Sequence, residues 1–204
     1  MAVKAVVFDV GNVLYDWNPR FLFEKMTRDV GLIDRLVGKA VTHEWHFQHD
    51  AGRNFADTSA ELIAAFPEFE RYIRAFAPRF NETCRGPIPD MLELVRELDA
   101  RAVPLFAITN FSHEFFPPFR DHHAEIFDRF RDVVVSGDEK LVKPDPAIYT
   151  LALARFGLAP NEGIFIDDRL ENVQGAAANR FVGHHFKDAA ALRLELARIG
   201  LLVD

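Results

Sequence analysis

Asp9 closes the apolar run Ala5-Val6-Val7-Phe8 and is followed at once by Val10-Gly11, so its carboxylate stands at the end of a strand-like segment and is displayed for chemistry. Ligands of open α/β sheets gather at the carboxyl ends of such strands, which makes Asp9 a candidate nucleophile. An Asp just before a glycine also commonly caps a turn. Three further polar marks recur in comparable places. Thr109-Asn110 follows Val103-Pro104-Leu105-Phe106-Ala107-Ile108, and Asp167-Asp168 ends Gly163-Ile164-Phe165-Ile166. Lys143 lies in the loop Glu139 to Pro146, after the strand-like Asp132-Val133-Val134-Val135-Ser136. If these runs are parallel strands, the residues beyond them converge on one rim. A carboxylate, a hydroxyl and amide pair, an ammonium and an acidic pair suit phosphoryl transfer, where a divalent cation and a lysine neutralise phosphate oxygens during in-line attack.

The ordered set Asp9, Thr109-Asn110, Lys143 in Lys-Pro-Asp-Pro, and Asp167-Asp168 resembles the haloacid dehalogenase superfamily along essentially the whole chain. Phe8-Asp9-Val10-Gly11-Asn12-Val13 and Phe165-Ile166-Asp167-Asp168, with Glu171-Asn172-Val173, are similar to a subgroup that includes bacterial α-D-glucose-1-phosphate phosphatases. The resemblance implies a hydrolase using Mg2+ and an aspartyl-phosphate intermediate on small phosphorylated metabolites, sugar phosphates among them. It implies that Asp9, the Gly11 carbonyl and Asp168 hold magnesium, with Asp167 either ligating directly or backing the ligands. Lys143 would balance charge, Thr109 and Asn110 would donate hydrogen bonds to phosphate oxygens, and Asn172 would support the metal site or sit on a helix surface.

One departure matters. Most phosphatases of this superfamily carry a second Asp two residues after the nucleophile, where it protonates the leaving oxygen; here that position is Gly11. General acid catalysis typically contributes a factor of about 10²–10⁴, so the proton must come from elsewhere, Asp16 or a cap histidine being candidates, or the leaving group must depart easily. The departure also leaves open a 2-haloacid dehalogenase, or a phosphate-binding protein of the same fold without turnover. The adjacent acids at 167 and 168 weigh against a pocket for a haloacid carboxylate unless a cation lies among them.

The elements that would position these groups are strands alternating with helices, a doubly wound parallel α/β sheet with a small inserted α-helical cap. Residues 1–15 and 87–204 are expected to form the α/β core and residues 16–86 the helical cap. The cap region reads as helical from Phe21 to about Phe80, interrupted at Gly31, Gly52 and Pro67. Thr58 and Glu61 have capping-box spacing and predict a helix start. Pro89 predicts the start of a helix with Met91, Leu94, Val95 and Leu98 on one face. Asp145-Pro146 opens another, closed by Gly157, and Asp188 to Ile199 forms the last. His43, His46 and His49 recur at spacings of three; they lack the four-residue histidine spacing of a zinc protease helix and predict either a packed face or a substrate-facing one.

Composition limits the partners. A net charge of −7 argues against a nucleic-acid surface. The single cysteine, Cys84, fits a reducing compartment, and no apolar run approaches the roughly 18 residues of a membrane span. With no leader in view, the expectation is a cytoplasmic protein, monomer or homodimer, bound to neither membrane nor nucleic acid.

Overall fold

The structure, a computed structural model, describes residues 2–203. Its centre is strand β1 (Ala5–Phe8), buried along its whole length. The wholly apolar Ala-Val-Val-Phe run suits a strand covered on both faces. Successive side chains point to opposite faces of the sheet and feed two different cores. Val6 and Phe8 join one, Ala5 and Val7 the other.

After β1 the chain makes a short strand, β2 (Tyr15–Trp17), and enters the helices α1 (Arg20–Met26), α2 (Val30–Arg35), α3 (His43–Asp50), α4 (Phe55–Ala65) and α5 (Glu70–Phe76). It returns through β3 (Cys84–Pro87), which pairs antiparallel with β2, Trp17 opposite Cys84 and Tyr15 opposite Pro87. The helices therefore hang from a two-stranded ribbon. Then follow α6 (Met91–Ala100), β4 (Leu105–Thr109), α7 (Phe116–His122), α8 (Ala124–Phe127), β5 (Asp132–Val135), α9 (Ser136–Glu139), α10 (Pro146–Phe156), β6 (Gly163–Asp167), α11 (Leu170–Ala178), β7 (Val182–His185) and α12 (Ala189–Arg198).

The main sheet has the order β5-β4-β1-β6-β7, and every pairing in it is parallel. Phe8 lies opposite both Ala107 and Ile166, so β1, β4 and β6 end at one level. The connections run outward on either side of β1, which places a topological switch point at its carboxyl end.

Local signals explain several boundaries. The Asp145 side chain accepts the Ala147 N–H at 2.8 Å, and Gly157 ends α10 with φ +63°. Asp188 caps α12 by accepting from Ala191 N at 2.7 Å. Three expectations are corrected. Thr58 lies inside α4, whose N-cap is Asn54; its hydroxyl donates back to the Asn54 and Phe55 carbonyls and contacts His49 Nε2 at 2.6 Å, so it serves cap packing. Gly31 falls within α2, and the break comes before it, where Asp29 accepts from Leu32 N. Pro89 precedes α6 by two residues, and the left-handed Asp90 (φ 64°) makes the turn into it.

The larger core runs without interruption from the sheet into the cap helices, joining Phe8 and Ile166 with Phe23, Trp45, Ile73 and Phe76. Phe80, Phe111 and Phe115 bridge the two parts, with ring centroids 5.3 Å apart for Phe80–Phe111 and 4.7 Å for Phe80–Phe115.

Candidate active site

The ends of β1, β4 and β6 bring the sequence candidates together beneath the cap. Lys143 Nζ is the hub, 2.8 Å from Asp9 Oδ1 and 2.7 Å from Asp167 Oδ2, and it is almost wholly buried. Asp9 Oδ1 also accepts from Val10 N at 2.7 Å, while its own N–H donates to the Ile166 carbonyl. Asp167 is held on every side: Oδ1 accepts from Arg169 N at 2.8 Å, and Asn172 Nδ2 donates to both oxygens at 3.1 and 3.0 Å. Asn172 thus faces inward and braces an acid. The Asp168 carbonyl is tied to His185 Nε2 at 2.9 Å.

Asn110 pins the loop that carries the lysine. Its Oδ1 accepts from Lys143 N at 2.8 Å and its Nδ2 donates to Lys143 O at 3.1 Å, which leaves one amide hydrogen for another acceptor. Asp9, Gly11, Asn110, Lys143 and Asp168 line one cavity of about 110 Å³. Thr109 and Asp167 stand behind that wall, buried at the ends of β4 and β6. Of the alternative proton sources, Asp16 lies outside the lining whereas His43 and His46 belong to it.

Charge is unbalanced here. Oxygens of Asp9, Asp167 and Asp168 lie within 4.8 Å of one another, Lys143 pairs with the first two, and Arg169, which also lines the cavity, pairs with Glu171. Burial pushes the Asp9 carboxyl up to about 8, with Lys143 opposing and Asp167 adding to the rise. Burial, then the Asp167 charge, raises Asp168 as well. For Lys143 burial favours the neutral amine, but the two flanking carboxylates outweigh it and hold the group above its ordinary range. Three clustered carboxylates beside one buried lysine would be relieved by a divalent cation. An all-oxygen donor set of this kind suits a hard divalent ion such as magnesium.

Sequence reasoning passed over one group in the cavity wall. Asp50, the last residue of α3, lines the cavity and is buried at 6% exposure. Nothing in its local spacing signals this. Its place follows from the docking of α3 on the core, where Ser136 Oγ donates to the Asp50 carbonyl at 2.6 Å. Much of the remaining wall is aromatic: Tyr15, Trp17, Phe47, Phe80, Phe111 and Phe119.

A parallel sheet with buried acids and a lysine at its switch point, beneath a helical insert, is a framework that hydrolases use. The chain belongs to the haloacid dehalogenase-like hydrolases, whose family profile matches residues 3–179. It is 31% identical over 203 residues to the sesquiterpene phosphatase astK of Aspergillus oryzae, covering 96% of each chain. It is 25% identical to a phosphorylated carbohydrates phosphatase of Thermotoga maritima, over 98% of this chain and 94% of that one. In fold it is similar to the enzyme bt-2542 of Bacteroides thetaiotaomicron, solved with magnesium and inorganic phosphate. That likeness has a TM-score of 0.70 and 17% identity, over 92% of this chain and 96% of the other.

Proposed function

We propose that the protein is a magnesium-dependent phosphatase that cleaves small phosphate monoesters through a phosphoryl group carried on Asp9. The observation that carries this reading is the cluster of Asp9, Asp167 and Asp168 oxygens around Lys143 at the ends of adjacent strands. The phosphatase names of both relatives support the reaction class, and the magnesium and phosphate held by the Bacteroides enzyme support the cofactor.

In this mechanism Asp9 attacks phosphorus, the ester oxygen leaves, and water then attacks the aspartyl phosphate to release phosphate and restore the carboxylate. Asp9, the Gly11 carbonyl and Asp168 would hold the metal, while Asp167, saturated by Lys143, Asn172 and Arg169 N, keeps the lysine aimed at Asp9. Magnesium, when bound, would neutralise phosphate oxygens and favour the ionised form of the nucleophile. Lys143 balances the charge gathering between Asp9 and the phosphoryl oxygens. The free amide hydrogen of Asn110 is available to a phosphate oxygen, with Thr109 buried behind it at the end of β4.

The cavity, about 110 Å³, is open to solvent, so a phosphoryl group can sit at the acidic cluster while its organic part extends along the aromatic wall. The aromatic wall favours organic parts with an apolar face, a terpenoid alcohol or the face of a sugar ring.

The haloacid reading is weaker, because a substrate carboxylate would join three others around a lysine already paired. A panel of sugar, alkyl and acyl phosphates, assayed for phosphate release with and without magnesium beside a halide-release assay, tests the proposal. Magnesium-dependent phosphate release is expected. Halide release without metal would overturn it.

A further inference from the structure

The phosphatase reading lacks a proton donor, since Gly11 occupies the position where an acid would serve the leaving oxygen. Asp9, Asp50 and Asp168 are the carboxyl residues lining the cavity among the described residues. Asp9 is committed as nucleophile, and Asp168 stands with Asp167 in the acidic cluster at the end of β6. Asp50 comes from a different element, at the end of α3 in the cap. Its Oδ1 is buried and makes no hydrogen bond; His46 Nε2, one helical turn back, is 3.7 Å away. A buried carboxyl oxygen without a partner is costly unless it is protonated or meets a ligand.

Resting on the phosphatase reading, we propose that Asp50 is the catalytic acid and base of this enzyme, supplied by the cap in place of the residue missing at position 11. As the bond from phosphorus to the ester oxygen breaks, the electron pair goes to that oxygen and the Asp50 proton follows it, releasing the neutral alcohol. The Asp50 carboxylate then takes a proton from the water that attacks the aspartyl phosphate. Inorganic phosphate leaves, Asp9 is a free carboxylate again, and Asp50 is again protonated.

The surroundings favour this assignment. Burial, then the Asp9 charge, holds the Asp50 carboxyl well above the usual carboxylate range, with Lys143 opposing. Its neighbour His46 is pushed down to about 3 by burial and by the adjacent histidines, so that ring is neutral and neither ionises Asp50 nor serves as the acid itself. Ser136, which holds the Asp50 carbonyl, belongs to α9 of the core, so the acid is fixed relative to the sheet that carries Asp9.

The test compares kcat/KM with magnesium for n-butyl phosphate, whose alkoxide needs a proton to leave, and p-nitrophenyl phosphate, whose phenolate does not. kcat/KM reports steps through transfer to Asp9 and is blind to the later hydrolysis. Asp50→Asn is expected to lower the value for the alkyl ester by about 10²–10⁴ and to leave the aryl ester within about threefold. Equal loss on both esters would indicate a merely structural role, and no loss on either would show that the acid lies elsewhere; each overturns the assignment. A second measurement needs no variant. Across esters of graded leaving-group acidity the wild-type enzyme should show a shallow dependence, whereas a steep one would mean that nothing protonates the leaving oxygen. If the wild-type protein released phosphate from neither ester, the phosphatase reading would fail and this assignment with it.

Discussion

Lys143 stands between Asp9 and Asp167 with all three groups buried, and breaking such a set leaves uncompensated charge in the interior. Lys143→Ala is expected to abolish turnover and to lower stability by about 3–5 kcal/mol, read from urea denaturation curves. Position 11 offers a complementary gain. A Cβ placed on Gly11 would meet nothing within 4 Å, and its backbone is not in the left-handed region, so the position accepts the start of a side chain. In the Asp50→Asn background, Gly11→Asp should raise turnover of alkyl phosphates relative to aryl phosphates by at least about tenfold. An unchanged ratio would show that a side chain at 11 does not reach the leaving oxygen. Asp9, Lys143 and the 167–168 pair could be found in sequence because each follows an apolar run or sits in a proline-marked loop. Asp50 could not, since its partners are remote in the chain and only the docking of α3 brings it to them.

At the scale of elements, the sheet was the more legible part. Strands covered on both faces must be continuously apolar, and residues 105–108 and 163–166 are, so the polar residues that follow them stood out. Cap helices obey weaker local rules. The spacing of Thr58 and Glu61 imitates a helix start, yet tertiary packing draws Thr58 onto His49 and the helix begins a turn earlier at Asn54. Nor does composition reveal that the cap shares its core with the sheet through Phe80, Phe111 and Phe115. The tightest point of that junction is α9. A Cβ on Gly137 would lie 2.5 Å from His113 N and 2.8 Å from Phe111 O, both backbone atoms that cannot swing aside. Gly137→Ala should therefore destabilise the protein by about 1–3 kcal/mol, a drop of roughly 2–12 °C in melting temperature by calorimetry.

For the whole molecule, buried histidines give stability a defined pH dependence. Burial depresses His46 to about 3 and His49 to about 4 from an ordinary 6.5. Below 6.5 the unfolded chain binds protons that the folded chain refuses, so these two rings cost stability as the pH falls through that window. Asp50 acts in the opposite sense, because the folded state keeps its proton over a range where the unfolded chain has lost it. A difference between variants isolates the histidine contribution. Between pH 6 and pH 4, His46→Phe should lose less stability than wild type, by up to about 1.4 kcal/mol per pH unit in denaturant titrations. An identical slope would show that His46 is protonated in the fold. Magnesium, by binding the folded state alone, should raise the melting temperature in proportion to the logarithm of its concentration above Kd.

The most direct test is to find the phosphoryl group on the protein. Rapid acid quench during turnover of a phosphate ester with magnesium, followed by mass spectrometry of the digested protein, should place one phosphoryl group on the peptide containing Asp9. The Asp9→Asn variant should show neither that adduct nor phosphate release. Undiminished turnover by that variant, or steady turnover with no phosphoryl group on Asp9 at any quench time, would contradict the account.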